Sequence, residues 1–201
     1  MTSPVLIPVE QLPRLAVETE QQAMRNARAM HAASPWLRDL NAEIAQVAQQ
    51  GGTPRAKYNR LRKLADRIGA AAAPHVACQK GCSACCNIAV VVSSFEADLI
   101  GKATGRRPAT PPAEADPQAA QDRYFGTPCP FLKKGACTIY AERPIACRLH
   151  VSLADSSFFC STEIKPADSC VPSLDLPLFW ATFGMQFYEY PSADLRDFFP
   201  A

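Results

Sequence analysis

The chain has 201 residues, 48% of them hydrophobic, so it is long and apolar enough to bury a core. Its 21 basic and 19 acidic side chains leave a formal net charge of +2, which gives no clear nucleic-acid signal and no attraction to an acidic membrane surface. No apolar run approaches the length of a membrane span and residues 1–8 lack the features of an export signal, so we predict a cytoplasmic protein without a membrane partner.

Residues 1–75 are predicted to form a helical N-terminal region. Apolar residues recur at helical spacing over residues 12–30 and 37–48, and Gly51-Gly52 ends the second helix. A third helix is predicted from Pro54, capped by Thr53, to about residue 69. Its buried face comprises Tyr58, Leu61, Leu64, Ala65 and Ile68. The basic residues of this helix are interpreted as a solvated face, because few aromatic residues are interleaved to stack on bases.

The middle and end of the chain alternate regular and irregular segments. The β-branched run over residues 88–92 predicts a short buried strand, and Ser93 with Glu96 forms the pattern of a capping box that begins a helix. Residues 107–117 are rich in proline and predict a surface loop. A last helix is predicted after Pro177, with an aromatic face comprising Leu178, Phe179, Trp180, Phe183 and Phe187. The terminal residues Phe198 and Phe199 belong either to the core or to a surface that docks on a partner.

Nine cysteines are the strongest compositional bias of the chain. Oxidising compartments favour disulfide frameworks, whereas reducing compartments favour metal ligation or thiol chemistry. Because no export signal is found, metal ligation is the leading interpretation. The alternative is that the cysteines are buried free thiols that pack as small hydrophobic residues, but their spacing argues against it.

Four of the cysteines lie within residues 78–86, which we call the first cysteine segment. They are Cys78, Cys82, Cys85 and Cys86. Short intervals let a tight turn direct several sulfurs at one ion, and Gly81 allows the backbone angles of such a turn. The side chains of Cys85 and Cys86 are expected to diverge, so that one of them bridges, binds a second metal or remains a spare thiol.

Three further cysteines lie within residues 129–147, which we call the second cysteine segment. They are Cys129, Cys137 and Cys147. Prolines on both sides of Cys129 restrict its backbone, which suits a ligand held in place before the metal arrives. Four thiolates around a divalent ion leave excess negative charge, which basic side chains can offset. The candidates are Lys80, Arg143 and Arg148.

The order of these motifs resembles that of a known family. The motifs are the cluster of residues 78–86, Cys-Pro-Phe-Leu at 129–132, Cys137-x-Ile-Tyr, and Arg143-Pro144-x-x-Cys147-Arg148. They are similar to those of the YkgJ-type cysteine-cluster proteins, a bacterial-type CxxCxxCC family described as zinc- or iron-chelating. The resemblance covers residues 78–150 and implies that seven cysteines are metal ligands: Cys78, Cys82, Cys85, Cys86, Cys129, Cys137 and Cys147. A related cluster in flagellin lysine methylases leaves iron–sulfur methyl transfer open.

Two features depart from the family pattern. The first interval has three residues where many members have two, and Cys160 and Cys170 lie outside the motif. The interval Cys78-x3-Cys82-x2-Cys85 also coincides with the spacing of radical S-adenosylmethionine enzymes. The chain is too short after Cys85 for the β/α barrel of those enzymes, but this spacing is able to hold three corners of a [4Fe–4S] cluster.

The chemistry of the donors limits the metal. Thiolates suit zinc or an iron–sulfur centre, whereas magnesium and calcium prefer oxygen ligands. His75 and His150 lie near the cysteines and are interpreted as ordinary polar residues, because the cysteines already exceed four. For Cys160 and Cys170, a packing role, a ligand role and a mutual disulfide all remain open.

We therefore predict a mainly α-helical fold, with a helical N-terminal region packed on a small irregular cysteine-rich metal-binding unit. The predicted domains are the N-terminal region over 1–75, a metal-binding domain over 76–150, and a C-terminal extension over 151–201. Three functions are considered. They are a metal-binding protein that holds zinc or an iron–sulfur centre, an iron–sulfur enzyme for redox chemistry or methyl transfer, and a thiol redox switch. The sequence identifies no protein partner.

Overall fold

The computed structural model describes residues 8–78, 81–111 and 117–200. Three sequence predictions therefore lie wholly or partly outside the described residues. They concern the start of the chain at residues 1–7, the charge of Lys80, and residues 112–116 of the proline-rich loop.

The predicted mainly α-helical fold is confirmed. The helices are α1 (Leu12–Ala33), α2 (Leu40–Gln49), α3 (Pro54–Ala72), α4 (Ser94–Thr104), α5 (Pro117–Tyr124), α6 (Ile145–Leu149), α7 (Pro177–Phe187) and α8 (Leu195–Phe198). Two short antiparallel pairs of strands accompany them. They are β1 (Val91–Ser93) with β4 (Ser192–Asp194), and β2 (Leu132–Lys133) with β3 (Ala136–Cys137). No helix within the described residues is long and apolar enough to cross a bilayer.

The N-terminal helices form largely as predicted. Thr53 caps α3 by accepting a hydrogen bond from the amide of Ala56 at 3.2 Å, and all five residues of the predicted face are buried. The helix continues three residues past the predicted end at residue 69, and α2 begins at Leu40 because residues 35–39 form a tighter 3₁₀ turn.

The larger hydrophobic core contains residues from all parts of the chain. Helices α1, α2 and α3 pack on α6 and α7, and Ile145 and Phe179 are fully buried among them. Arg148, on α6, is 6% exposed and donates a hydrogen bond to Asp66 of α3 at 2.6 Å. The second cysteine segment is therefore anchored at its end to the N-terminal helices.

A smaller core lies next to the cysteines. Val92, Ile100, Phe131, Phe198 and Phe199 are buried in it, and Cys129 and Cys137 pack against it. The alternative in which Phe198 and Phe199 dock on a partner is therefore wrong, because both rings are 2% exposed or less.

The predicted strand over residues 88–92 forms only in part. Pairing with β4 covers Val91–Ser93, and it stops there because the amide of Val90 donates to Oδ2 of Asp194 at 2.6 Å. A side chain thus replaces the strand backbone as the hydrogen-bond acceptor. Helix α5 and the β2–β3 hairpin were not predicted from the sequence.

The predicted capping box at the start of α4 is confirmed, and its glutamate has further contacts. The carboxylate of Glu96, 2% exposed, accepts hydrogen bonds from Ser93, from the hydroxyl of Tyr58 at 3.3 Å and from the amide of Ile145 at 2.9 Å. It therefore joins α3, α4 and α6 at one buried point.

Candidate metal centre

The two cysteine segments lie side by side. The amide of Cys129 donates to the carbonyl of Cys86 at 2.7 Å, and all nine cysteines are free thiols. Gly81 has a φ of +100°, in the region that favours glycine, so its predicted role in the first segment is consistent with the backbone. The structure thus brings together the segments that the sequence separates by some forty residues.

The β2–β3 hairpin positions two thiols of the second segment. Lys134 and Gly135, with φ of 50° and 73°, form its turn, which places Cys137 opposite Leu132. The amide of Leu132 donates to the carbonyl of Cys129 at 2.9 Å. Cys129 and Cys137 therefore lie on one side of a compact turn, against the smaller core.

For each pair among four of the thiols, the charge of one raises the pKa of the other. We call these four thiols the inner set. They are Cys86, Cys129, Cys137 and Cys147. Burial raises the pKa of Cys147 well above its usual range, and the nearby charges of the other three members raise it further. Burial also raises the pKa of Cys129 and of Cys137, and Cys86 contributes to both increases. These thiols are therefore protonated at neutral pH unless a cation replaces the protons.

Cys85 is adjacent to Cys86 in the sequence, and the expected divergence of their side chains remains a prediction. Hydrogen bonding with the Cys85 thiol is the first cause that raises the pKa of Cys86, followed by burial. The other neighbours of the two residues differ. Cys86 belongs to the inner set, whereas Cys85 lines the cavities described below.

Cys160 joins the first part of the first segment. Burial raises its pKa, and the nearby thiols of Cys78 and Cys82 raise it further. Cys170 lies elsewhere, with its sulfur 3.8 Å from the carbonyl of Ala16. The two are free thiols with different neighbours, and the structure does not contain the disulfide between them that the sequence left open.

Two guanidinium groups flank the inner set. Arg143 lowers the pKa of Cys137 and Cys147, and Arg196 lowers that of Cys86 and Cys129. The prediction for Arg143 agrees with this arrangement.

Arg148 lines a cavity together with Cys78, Cys82 and Cys147, and its predicted charge compensation beside sulfur remains a prediction. Its guanidinium bonds to Asp66 and to the carbonyls of Ala141 and Arg143, which use its donors away from the thiols. The reason is that α6 packs on α3, and this packing turns Arg148 towards Asp66.

Arg196 holds both cysteine segments and was missed by sequence reasoning. It is 7% exposed and donates to the carbonyls of Cys86 at 3.2 Å and Ile88 at 3.1 Å in or beside the first segment. It also donates to the carbonyls of Thr127 and Pro128, just before the second segment. The acidic residues at 194 and 197 form a capping box that could have located α8 in the sequence, but nothing in the sequence reveals the target of Arg196.

Three cavities meet at Cys85 and His150. One, of about 280 Å³, is also lined by Cys78, Cys82 and Cys147. The second, of about 410 Å³, is lined by Cys160. The third, of about 500 Å³, is mainly apolar and is bounded by the residues of β1 with Trp180. His150 thus contacts the same spaces as the thiols, although its position in the sequence indicates only an ordinary polar role.

The thiols suit a soft metal as ligands. One buried N–H group near them has no hydrogen-bond acceptor in the described structure. Nε of Arg143 is buried without a hydrogen-bond partner in the described structure, beside thiols that would carry negative charge when they ligate. Among residues 8–78, 81–111 and 117–200, no three His, Cys, Asp or Glu side chains are already close enough to ligate one ion. Metal binding requires the neutral thiols to lose their protons.

The comparison with protein families supports the same chemistry. Residues 77–169 match the model of the CxxCxxCC family, described as a "putative zinc- or iron-chelating domain". The match confirms the resemblance predicted from the motifs, and it includes Cys160 but not Cys170. No curated protein and no solved structure matches the chain. The seven-cysteine ligand set remains a prediction.

Proposed function

We propose that the chain is a metal-binding protein whose inner set holds one zinc or iron centre. The observation that carries the proposal is that the amide of Cys129 donates to the carbonyl of Cys86 at 2.7 Å, which holds the first cysteine segment against the second. Four thiolates complete the tetrahedral coordination that structural zinc prefers and equally suit iron. When bound, the metal supplies a cross-link between the two segments.

The residues around the inner set have complementary tasks. Arg143 has a buried Nε free to donate and offsets part of the charge of Cys137 and Cys147, while Arg196 fixes the carbonyls that lead into both segments. Each thiol gives up its proton on binding, so affinity rises with pH. Because the segments are far apart in sequence, the cross-link contributes to folding stability.

An iron–sulfur enzyme is a second candidate, favoured by one observation. The cavity of about 500 Å³ reaches Cys85, Cys147 and His150, and its apolar walls would admit a small substrate beside a metal centre. A structural metal site needs no such space. Binding of cyanide to the iron-containing protein, detected by electron paramagnetic resonance, would reveal an open iron position and favour this candidate.

Anaerobic purification with elemental analysis and an absorption spectrum tests the proposed function. A colourless protein with zinc identifies a zinc centre, and a brown protein with iron and sulfide identifies an iron–sulfur centre. Cys129→Ser should lower the metal content, whereas Cys170→Ser, outside the family match, should not. A metal-free protein that forms a reversible disulfide would overturn the proposal and favour the thiol redox switch.

A further inference from the structure

We propose that the chain holds a second metal centre, in which Cys160 joins Cys78, Cys82 and Cys85. We call these four residues the outer set. The proposal rests on the proposed function, since it concerns the cysteines that the inner set leaves over. It adds Cys160 to the ligands that the motifs imply, and it divides eight cysteines into two centres of four.

The backbone brings the loop before Cys160 to the start of the first cysteine segment. The amide of Ala77 donates to the carbonyl of Ala154 at 3.2 Å. Ser152, only 4% exposed, pairs with Ser173 in an isolated β-bridge, which fixes its position. These contacts fix the residues just before Cys78 and the loop that leads to Cys160.

Ser152 contacts two cysteines of the outer set. Its amide donates to Sγ of Cys78 at 3.3 Å, and its hydroxyl, near Cys160, lowers the pKa of that thiol. An amide that donates to sulfur is typical of the surroundings of a ligating thiolate. The same residue therefore serves Cys78 and Cys160, which lie 82 positions apart in the sequence.

Cys85 connects the members of the outer set through space. It lines one cavity together with Cys78 and Cys82, and it lines the adjoining cavity together with Cys160. Cys85 thus lies between the cavity that Cys78 and Cys82 line and the cavity that Cys160 lines, whereas Cys129 and Cys137 of the inner set pack against the smaller core. His150 borders both cavities and is placed to contact whatever the outer set binds.

The two centres differ in their access to solvent. Cys82 is exposed, and the cavities beside Cys85 are open to solvent, so the outer centre is accessible to exchange. Cys129 and Cys137 of the inner set pack on buried aromatic residues instead, and Cys147 is the member of the inner set that reaches these cavities in the described structure. We therefore assign a structural role to the inner centre, and an exchangeable metal ion or cluster to the outer one. The spacing Cys78-x3-Cys82-x2-Cys85 is compatible with a [4Fe–4S] cluster in the outer centre.

Titration of the reduced, anaerobic full-length protein with Co²⁺ tests the proposal. Thiolate-bound Co²⁺ absorbs strongly, so the absorbance reports equivalents bound. We expect two equivalents for the wild type and for Cys170→Ser, which is the matched control. We expect Cys160→Ser and Cys78→Ser to bind one equivalent each, because they lose the outer centre. We expect Cys137→Ser to bind one equivalent as well, because it loses the inner centre.

Each outcome is decisive. One equivalent in the wild type, or two retained in either Cys160→Ser or Cys78→Ser, overturns the proposed second centre and leaves the proposed function intact. Loss of both equivalents in either variant overturns the division into separate centres. Cys160→His guards against misfolding, because an imidazole ligand should preserve two equivalents with a shifted spectrum. A wild type that binds no Co²⁺ overturns the proposed function as well.

Discussion

Arg196 and Asp194 form an ion pair in which Nη1 lies 3.1 Å from Oδ1, with side chains that are 7% and 0% exposed. Asp194 also accepts from the amides of Val90 and Arg196, at 2.6 and 2.8 Å. The pair therefore fixes the residue before β1 and the backbone of both cysteine segments at the same point. A buried pair of this kind is expensive to break, because either partner left alone is an uncompensated buried charge.

Replacement of Arg196 should strongly destabilise the protein. We expect Arg196→Met to lower the free energy of unfolding by about 3–5 kcal/mol, because Asp194 and four carbonyls lose their donor. Urea denaturation followed by circular dichroism measures the change. The matched control is Arg14→Met, because Arg14 pairs with Glu18 on the exposed surface, where a loss of about 0.5 kcal/mol or less is expected. Similar effects of the two substitutions would contradict the role of the buried pair.

The sequence predicts the local features of the fold well. The caps at Thr53 and Ser93 and the buried face of α3 follow from a few neighbouring residues, and the structure confirms them. Elements that depend on distant contacts were not predicted. The strand β4 exists because it pairs with β1, a hundred positions earlier, and its three residues carry no alternating pattern of their own.

Gly101 tests the packing of the loop that follows α4. A Cβ at this position would lie 2.7 Å from the carbonyl oxygen of Arg106 and 2.9 Å from Cδ of Pro108, so Gly101→Ala should destabilise the protein by about 1–3 kcal/mol. Gly184, in α7, is the matched control because no atom lies within 4 Å of the position that its Cβ would take. Gly184→Ala should stabilise the helix by about 0.5–1 kcal/mol. Thermal unfolding of both variants gives the comparison, and equal signs would contradict it.

The candidate site was predicted unevenly. The cysteine spacing and the family resemblance predict the seven motif cysteines as ligands, because ligands close in sequence share a turn, and that set remains a prediction. It gave no information about Cys160, whose approach to Cys78 depends on the pairing of Ala77 with Ala154. The same limit applies to the contact of Arg148 with Asp66, which arises from helix packing and was not predicted.

Arg143 should tune metal affinity more than it stabilises the fold. Its guanidinium stacks over Tyr140 at 4.2 Å, and its buried Nε has no acceptor in the described structure, which suits a contact with a thiolate. We expect Arg143→Met to weaken metal binding by about 10–100-fold, measured by competition with a chelator of known affinity. Arg143→Lys should recover part of the loss through its charge. The exposed Arg38 provides the control, and Arg38→Met should bind as the wild type does. Unchanged affinity in Arg143→Met would contradict the contact.

Glu96 should make stability depend on pH. Burial raises its pKa above the ordinary value of 4.5, and this effect exceeds the lowering by hydrogen bonds from Ile145, Ser93 and Tyr58. Between the unfolded and the folded pKa, the folded state binds more protons, so stability falls as pH rises through that window. The contribution is fully present below pH 4.5 and is lost once the pH exceeds the folded pKa.

Glu96→Gln isolates this contribution, since an amide does not titrate and other groups titrate equally in both proteins. Relative to the variant, the wild type should lose up to about 1.4 kcal/mol of stability per pH unit within the window. Urea denaturation of both proteins from pH 4.5 to pH 8 measures the difference at each pH. If the two stability profiles run parallel, the carboxylate of Glu96 is ionised in the folded protein throughout, and its hydrogen bonds outweigh its burial.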